Sequence, residues 1–177
     1  LNNSNGYNLE NLDIYGTLLA VTAHEEGVLF YNISNPENPN YYGRFNTENA
    51  WTVAVAQETV YIGDESNLLI VDVSNPENPQ LSNSIQMSNA IKDIQWNQSD
   101  NLLYIALGTD GVVAFDPQTL SVLSLINTSC LANRLALFDN KIAVSDWDDI
   151  EILEWNGQSL NLVGYKNTTR RTMAITT

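Results

Sequence analysis

One hexapeptide occurs twice in this chain, 40 residues apart: Ser34-Asn35-Pro36-Glu37-Asn38-Pro39 returns as Ser74-Asn75-Pro76-Glu77-Asn78-Pro79. Chance does not produce such identity in register. A period near 40 marks a chain built from small supersecondary units that bury their apolar surface only by stacking. The flanks repeat as well. Val28-Leu29-Phe30-Tyr31-Asn32-Ile33 precedes the first copy and Leu68-Leu69-Ile70-Val71-Asp72-Val73 the second. Two later copies lack the double proline and keep the pattern: Val112-Val113-Ala114-Phe115-Asp116 before Pro117-Gln118-Thr119, and Ile150-Glu151-Ile152-Leu153-Glu154-Trp155 before Asn156-Gly157-Gln158.

Other apolar runs share the period. Those at 18–23, 59–63, 102–107 and 141–145 come one strand earlier, and those at 12–15, 52–56, 91–96 and 134–138 earlier still. A last strand follows each turn, at 41–45, 81–87, 121–126 and 161–165. This predicts four strands per unit, each of ordinary length, separated by turn formers such as Gln57-Glu58 and Asp139-Asn140. No segment carries a helical period. Strands such as 68–71 are apolar at nearly every position, as in sheets covered on both faces. The fold expected is therefore all-β: a β-propeller of four-stranded antiparallel blades. About four blades are present, as units 8–48, 49–88, 89–130 and 131–170 of a single domain over 1–177. A β-solenoid ranks below it, because solenoid repeats are shorter, ~20–30 residues. Arg171-Thr172-Met173-Ala174-Ile175-Thr176 reads as the first strand of a fifth unit (171–177), so the blades are expected to be part of a larger ring. An open arc would leave apolar faces and sheet edges available for self-association.

The stretch Leu68-Leu69-Ile70-Val71-Asp72-Val73-Ser74-Asn75-Pro76 resembles the LVIVD repeat family. Its hallmark is an apolar strand ending in Ile-Val-Asp, followed by Ser-Asn-Pro and a second Pro. Residues 28–39 are a looser copy, and units three and four keep only an acid, at Asp116 and Glu154. The resemblance implies a propeller and an extracytoplasmic or surface protein, and no common enzymatic activity. In the motif itself the Asp is expected to accept hydrogen bonds at the start of the turn, whose shape the prolines fix.

Charge narrows the partners. The net charge is −14, with only three Lys and four Arg, so phosphate backbones and anionic membrane surfaces repel the chain. Nucleic acid is excluded as a partner, and no apolar run is long enough for membrane insertion as a helix. A lone Cys130 forms no internal disulfide and is expected to be buried. Sequons at Asn2, Asn32, Asn97, Asn127 and Asn167 fit a secreted or cell-surface location.

In a blade, the loop between the second and third strands shares a rim with the unit-to-unit loops. The candidate binding residues are the acids and Trp of that rim: Glu25, Glu26, Asp64, Glu65, Asp110, Asp146, Trp147, Asp148 and Asp149. Asp146, Asp148 and Asp149 are the candidate Ca²⁺ ligands, since Ca²⁺ takes oxygen donors; no other cofactor is indicated. His24 is expected to be an exposed turn residue, Trp147 an exposed one, and Trp96 and Trp155 packing residues. No Gly-x-Ser-x-Gly elbow occurs. The expected function is a non-catalytic extracytoplasmic module that binds a protein or glycan through its acidic rim. The alternatives are a carbohydrate-active hydrolase or lyase at the propeller mouth and a subunit of a surface filament or layer.

Overall fold

The computed structural model describes residues 8–173 and residue 175. It is all-β, and each sheet is antiparallel with its strands in chain order, as in propeller blades. The chain divides into two compact units, Leu1–Gln86 and Met87–Thr177. Among the described residues no helix is long and apolar enough to cross a membrane.

Unit 1 holds two blades. The first is β1 (Leu12–Tyr15), β2 (Leu18–Thr22), β3 (Val28–Asn32) and β4 (Asn40–Phe45); the second is β5 (Ala50–Ala56), β6 (Thr59–Asp64), β7 (Asn67–Asp72) and β8 (Gln80–Gln86). The blades bury their facing sides on each other, with Ala20, Val28 and Phe30 meeting Val53, Val60 and Ile62 in one cluster. Each fully buried large side chain of this kind contributes about 1.5–3 kcal/mol. Outer strands are exposed: β8 has no fully buried residue.

Unit 2 repeats the plan. Its first blade is β9 (Asp93–Asn97), β10 (Leu102–Ala106), β11 (Val112–Asp116) and β12 (Ser121–Ile126). Its second is β13 (Ala132–Phe138), β14 (Lys141–Trp155) and β15 (Leu160–Thr172). Although β14 counts as one strand, Lys141–Asp146 pairs with β13 and the length beyond Trp147 pairs with β15. In a straight strand, at roughly 3.3 Å per residue, Asp146 and Glu151 would stand about 16 Å apart. Their carboxylate oxygens lie within 4.8 Å. The chain therefore reverses between them, at Trp147, whose φ is +52°. β14 is thus the two middle arms of a four-armed blade.

β15 runs on through Arg171 and Thr172. Thr172 faces Trp147 across the last blade; Ala174 and Thr176, from the rest of the strand expected to open a fifth unit, lie outside the described residues.

The LVIVD-like turns work as expected, by Asx chemistry. Asp72 Oδ1 accepts from the Ser74 amide and Asn32 Oδ1 from the Ser34 amide, both at 2.8 Å. Asp116 Oδ1 accepts from Gln118 at 2.8 Å. In the last blade the turn residue is Asn156, accepting from Gln158 at 2.9 Å, and not Glu154. Glu154 lies inside β14 and pairs with Lys141 instead, two residues too early to reach the turn.

A second device joins blades within each unit. Asp13 Oδ2 accepts from the Val55 amide at 2.7 Å, and Asp93 Oδ2 from the Leu135 amide at 2.8 Å. Each acid sits on the first strand of one blade and holds the first strand of the next.

Candidate functional site

The loop entering the second blade of each unit is clamped by an acid ending that blade's second strand. In unit 1 this acid is Asp64, which accepts from the Asn49 amide at 2.5 Å and the Glu48 amide at 3.4 Å. In unit 2 it is Asp146, 82 positions on by number, fully buried. Asp146 Oδ2 accepts from the Cys130 amide at 2.8 Å and lies 2.7 Å from Ser129 Oγ; Oδ1 accepts from Thr128 Oγ1 at 3.1 Å. Pairing confirms the correspondence, Ala50 facing Asp64 and Ala132 facing Asp146.

Beyond the clamp the two sites diverge. In unit 1 the next inward positions are Asn67 and Leu69, which with Phe45, Thr47 and Glu48 line a shallow, open groove. In unit 2 the same positions are Asp149 and Glu151, only 6% and 5% exposed. Asp146, Asp149 and Glu151 each bring one carboxylate oxygen within 4.8 Å of the others. Ser129 ties them together. Its amide donates to Glu151 Oε1 at 3.0 Å, and its hydroxyl lies 2.8 Å from Asp149 Oδ2 as well as 2.7 Å from Asp146 Oδ2. The other Asp149 oxygen, Oδ1, is buried without a hydrogen-bond partner among the described residues. Burial, foremost, and then the charges of Asp146 and Asp149 push the Glu151 carboxyl above the usual range, against the opposing effect of the Ser129 amide.

The other sequence-predicted site residues are dispersed. Glu25, Glu65 and Asp148 are exposed. Glu26 is partly covered and pairs with Arg44, and Asp110 accepts from Asn89 at 3.2 Å. Trp147 is half-buried rather than exposed, because the Arg171 guanidinium lies 4.4 Å over its ring. Among the proposed Ca²⁺ ligands, Asp146 and Asp149 come together. Asp148, at the reversal, points outward, and Glu151 takes its place. Sequence reasoning missed Glu151 by reading 150–155 as an apolar strand. Strand alternation carried the signal, since Glu151 shares a face with the buried Leu153.

Two further expectations are corrected. Cys130 is exposed, because its backbone turns inward to Asp146 and leaves the side chain outside. Desolvation first, then the charges of Asp148, Asp146 and Asp149, raises its thiol pKa, so it is a poor nucleophile. His24 is not an exposed turn residue. Its ring bonds Asn49 Oδ1 and Glu10 Oε1, each at 2.9 Å, and stands edge-on to Trp51.

Fold and site thus define a repeat module of antiparallel propeller blades. Residues 49–86 match the model of the LVIVD repeat, so the chain carries that repeat in its second blade. No curated protein sequence matches the chain. Among solved structures, a protein from Lactobacillus plantarum is similar at a TM-score of 0.78 and 15% identity, over 90% of this chain and 56% of that one. The computationally designed Ika8 protein is similar at 0.74 and 13%, over 92% and 50%. AztD from Citrobacter koseri is similar at 0.69 and 14%, over 95% and 49%. At such identities the likeness concerns the fold alone, and the chain spans about half the length of these structures.

Proposed function

We propose that this chain is a non-catalytic binding module working outside the cytoplasm, whose acidic loops engage a protein or glycan partner, a basic protein surface foremost. The observation that carries this reading is the exposure of Glu25, Glu65 and Asp148 at the tips of hairpins. Those hairpins turn on left-handed residues at His24, Glu65 and Trp147, so the charges ride on rigid sheets. The net charge of −14 favours a cationic surface and would speed encounter with one. The resemblance to surface repeat proteins supports the location. An enzyme of the carbohydrate-active class needs two carboxylates facing across an open cleft, ~5–9 Å apart; the acids that gather here are buried around a loop of their own unit.

The test is binding of the immobilised chain to lysine- and arginine-rich peptides and to a panel of neutral oligosaccharides. The combined variant Glu25→Gln, Glu65→Gln, Asp148→Asn should weaken peptide binding about tenfold, and added salt should weaken it too. Blank results with both panels, or a variant that binds as well as the parent, would refute the reading. A filament or surface-layer subunit is the second reading, favoured by exposed Val122, Leu123, Leu125, Val163 and Tyr165 on the outer strands of unit 2. Concentration-dependent sedimentation tests it.

A further inference from the structure

We propose that Asp146, Asp149 and Glu151 form a binding site for a hard divalent cation, of which Ca²⁺ is the best fit, and that the ion locks the loop carrying Thr128, Ser129 and Cys130. Spacing is the first argument. Oxygens sharing one Ca²⁺ at about 2.4 Å lie no more than about 5 Å apart, and these three carboxylates each offer an oxygen within 4.8 Å of the others.

Charge is the second. All three are buried, and among the described residues no Lys, Arg or His forms an ion pair with them. Buried charges are normally paired or coordinate metals. Arg171, on the neighbouring strand β15, lies over the Trp147 ring.

Proton count is the third argument. The Ser129 hydroxyl stands within 2.8 Å of both Asp146 Oδ2 and Asp149 Oδ2, yet it has one hydrogen to donate. With both carboxylates ionised, one of these contacts is oxygen lone pair against oxygen lone pair. Asp149 Oδ1 meanwhile has no hydrogen-bond partner among the described residues. A cation answers both, turning surplus lone pairs into ligands.

The fold does not require these acids. The corresponding clamp in unit 1 works with Asp64 alone, Asn67 and Leu69 standing where Asp149 and Glu151 stand in unit 2. The donor set is all oxygen, which selects hard cations over thiolate-loving ones. Three carboxylates leave room for loop carbonyls or water in a shell of 6–8.

The experiment is a titration of the whole chain with Ca²⁺, followed by calorimetry and thermal unfolding, with Tb³⁺ luminescence sensitised through Trp147 as the direct probe. Ca²⁺ should bind in the micromolar-to-millimolar range and raise the unfolding temperature. The double variant Asp149→Asn, Glu151→Leu copies the unit 1 site. In chelator it should unfold at a higher temperature than the parent, and it should bind Ca²⁺ at least tenfold more weakly. That crossing of signs is not expected of acids with a purely structural role. Asp149→Asn alone serves should the double variant fail to fold. A folded parent chain that neither binds nor shifts at ~10 mM Ca²⁺, or a folded variant that binds as the parent does, would overturn the proposal.

Discussion

The two loop clamps are built alike and filled differently. Hairpins ending in Gly27 and Gly111 place the backbone carbonyls of His24 and Gly108 to accept from the amides of Ala50 and Ala132. From the other side, Asp64 and Asp146 gather the amides of the same loops. Unit 1 adds a histidine, bonded to Asn49, and surrounds its acid with an amide and a leucine. Unit 2 has glycine in place of the histidine and two further buried acids. The shared parts are what the fold needs. The acids in excess are what it does not need, and they mark the place to look for a ligand.

Substitutions separate the shared parts from the divergent ones. The largest loss is expected for Gly27→Ala and Gly111→Ala. Their φ values are +82° and +88°, and an added Cβ would meet the backbone oxygens of Phe45 and Ile126 at 2.0 and 2.1 Å. Each should cost about 3–4 kcal/mol in urea unfolding. Similar losses in both would establish the hairpin as common ground, and a loss under ~1 kcal/mol in either would break it.

Grafting the acids backwards, as Asn67→Asp with Leu69→Glu, should destabilise the metal-free chain by about 2–3 kcal/mol, since it crowds two further carboxylates beside the buried Asp64 and gives up the half-buried Leu69 side chain. Ca²⁺ should return part of that loss. Asp64→Ala comes next, at ~2 kcal/mol, from two amides left without their acceptor. Asp146→Ala should cost less in chelator although Asp146 holds more donors, because it also relieves repulsion from Asp149 and Glu151. The reverse ranking would mean that those acids do not repel.

The blade plan was legible because it rests on composition at a fixed period. The double proline turns, the Asx residues and the apolar strands recur every 40 or so residues, and each has a local cause. Even the reversal at Trp147, which backbone pairing merges into one strand, was marked by Asp146-Trp147-Asp148-Asp149. The candidate site was legible only in part. Asp146 and Asp149 were named, and Asp148 was preferred to Glu151 because neighbours in sequence were taken for neighbours in space. In a hairpin the residue across the turn is closer than the one at its tip. Burial was misjudged at Cys130 and His24 for a related reason: whether a loop side chain points inward depends on which backbone groups the loop surrenders to a distant acid.

The smallest effect expected concerns pH and separates the units by the one titratable group that unit 2 lacks. Hydrogen bonding to Asn49 foremost, then to Glu10, raises the His24 pKa above its ordinary 6.5, against a smaller opposing effect of burial. A histidine whose folded pKa exceeds its unfolded value stabilises fully below the unfolded pKa, and that gain is lost as pH rises through the folded one. The unit 1 clamp should therefore loosen from about pH 6.5 upward, by less than ~1 kcal/mol for a partly exposed pair. His24→Asn is the fitting substitution, because asparagine tolerates the φ of +49° at this position. It should flatten this part of the stability profile and lower its acid side, while amide exchange at Ala132, held by the Gly108 carbonyl at 3.0 Å, keeps its protection. A profile unchanged by the substitution would show that the histidine ring is a spacer between Glu10 and Asn49 rather than a charge.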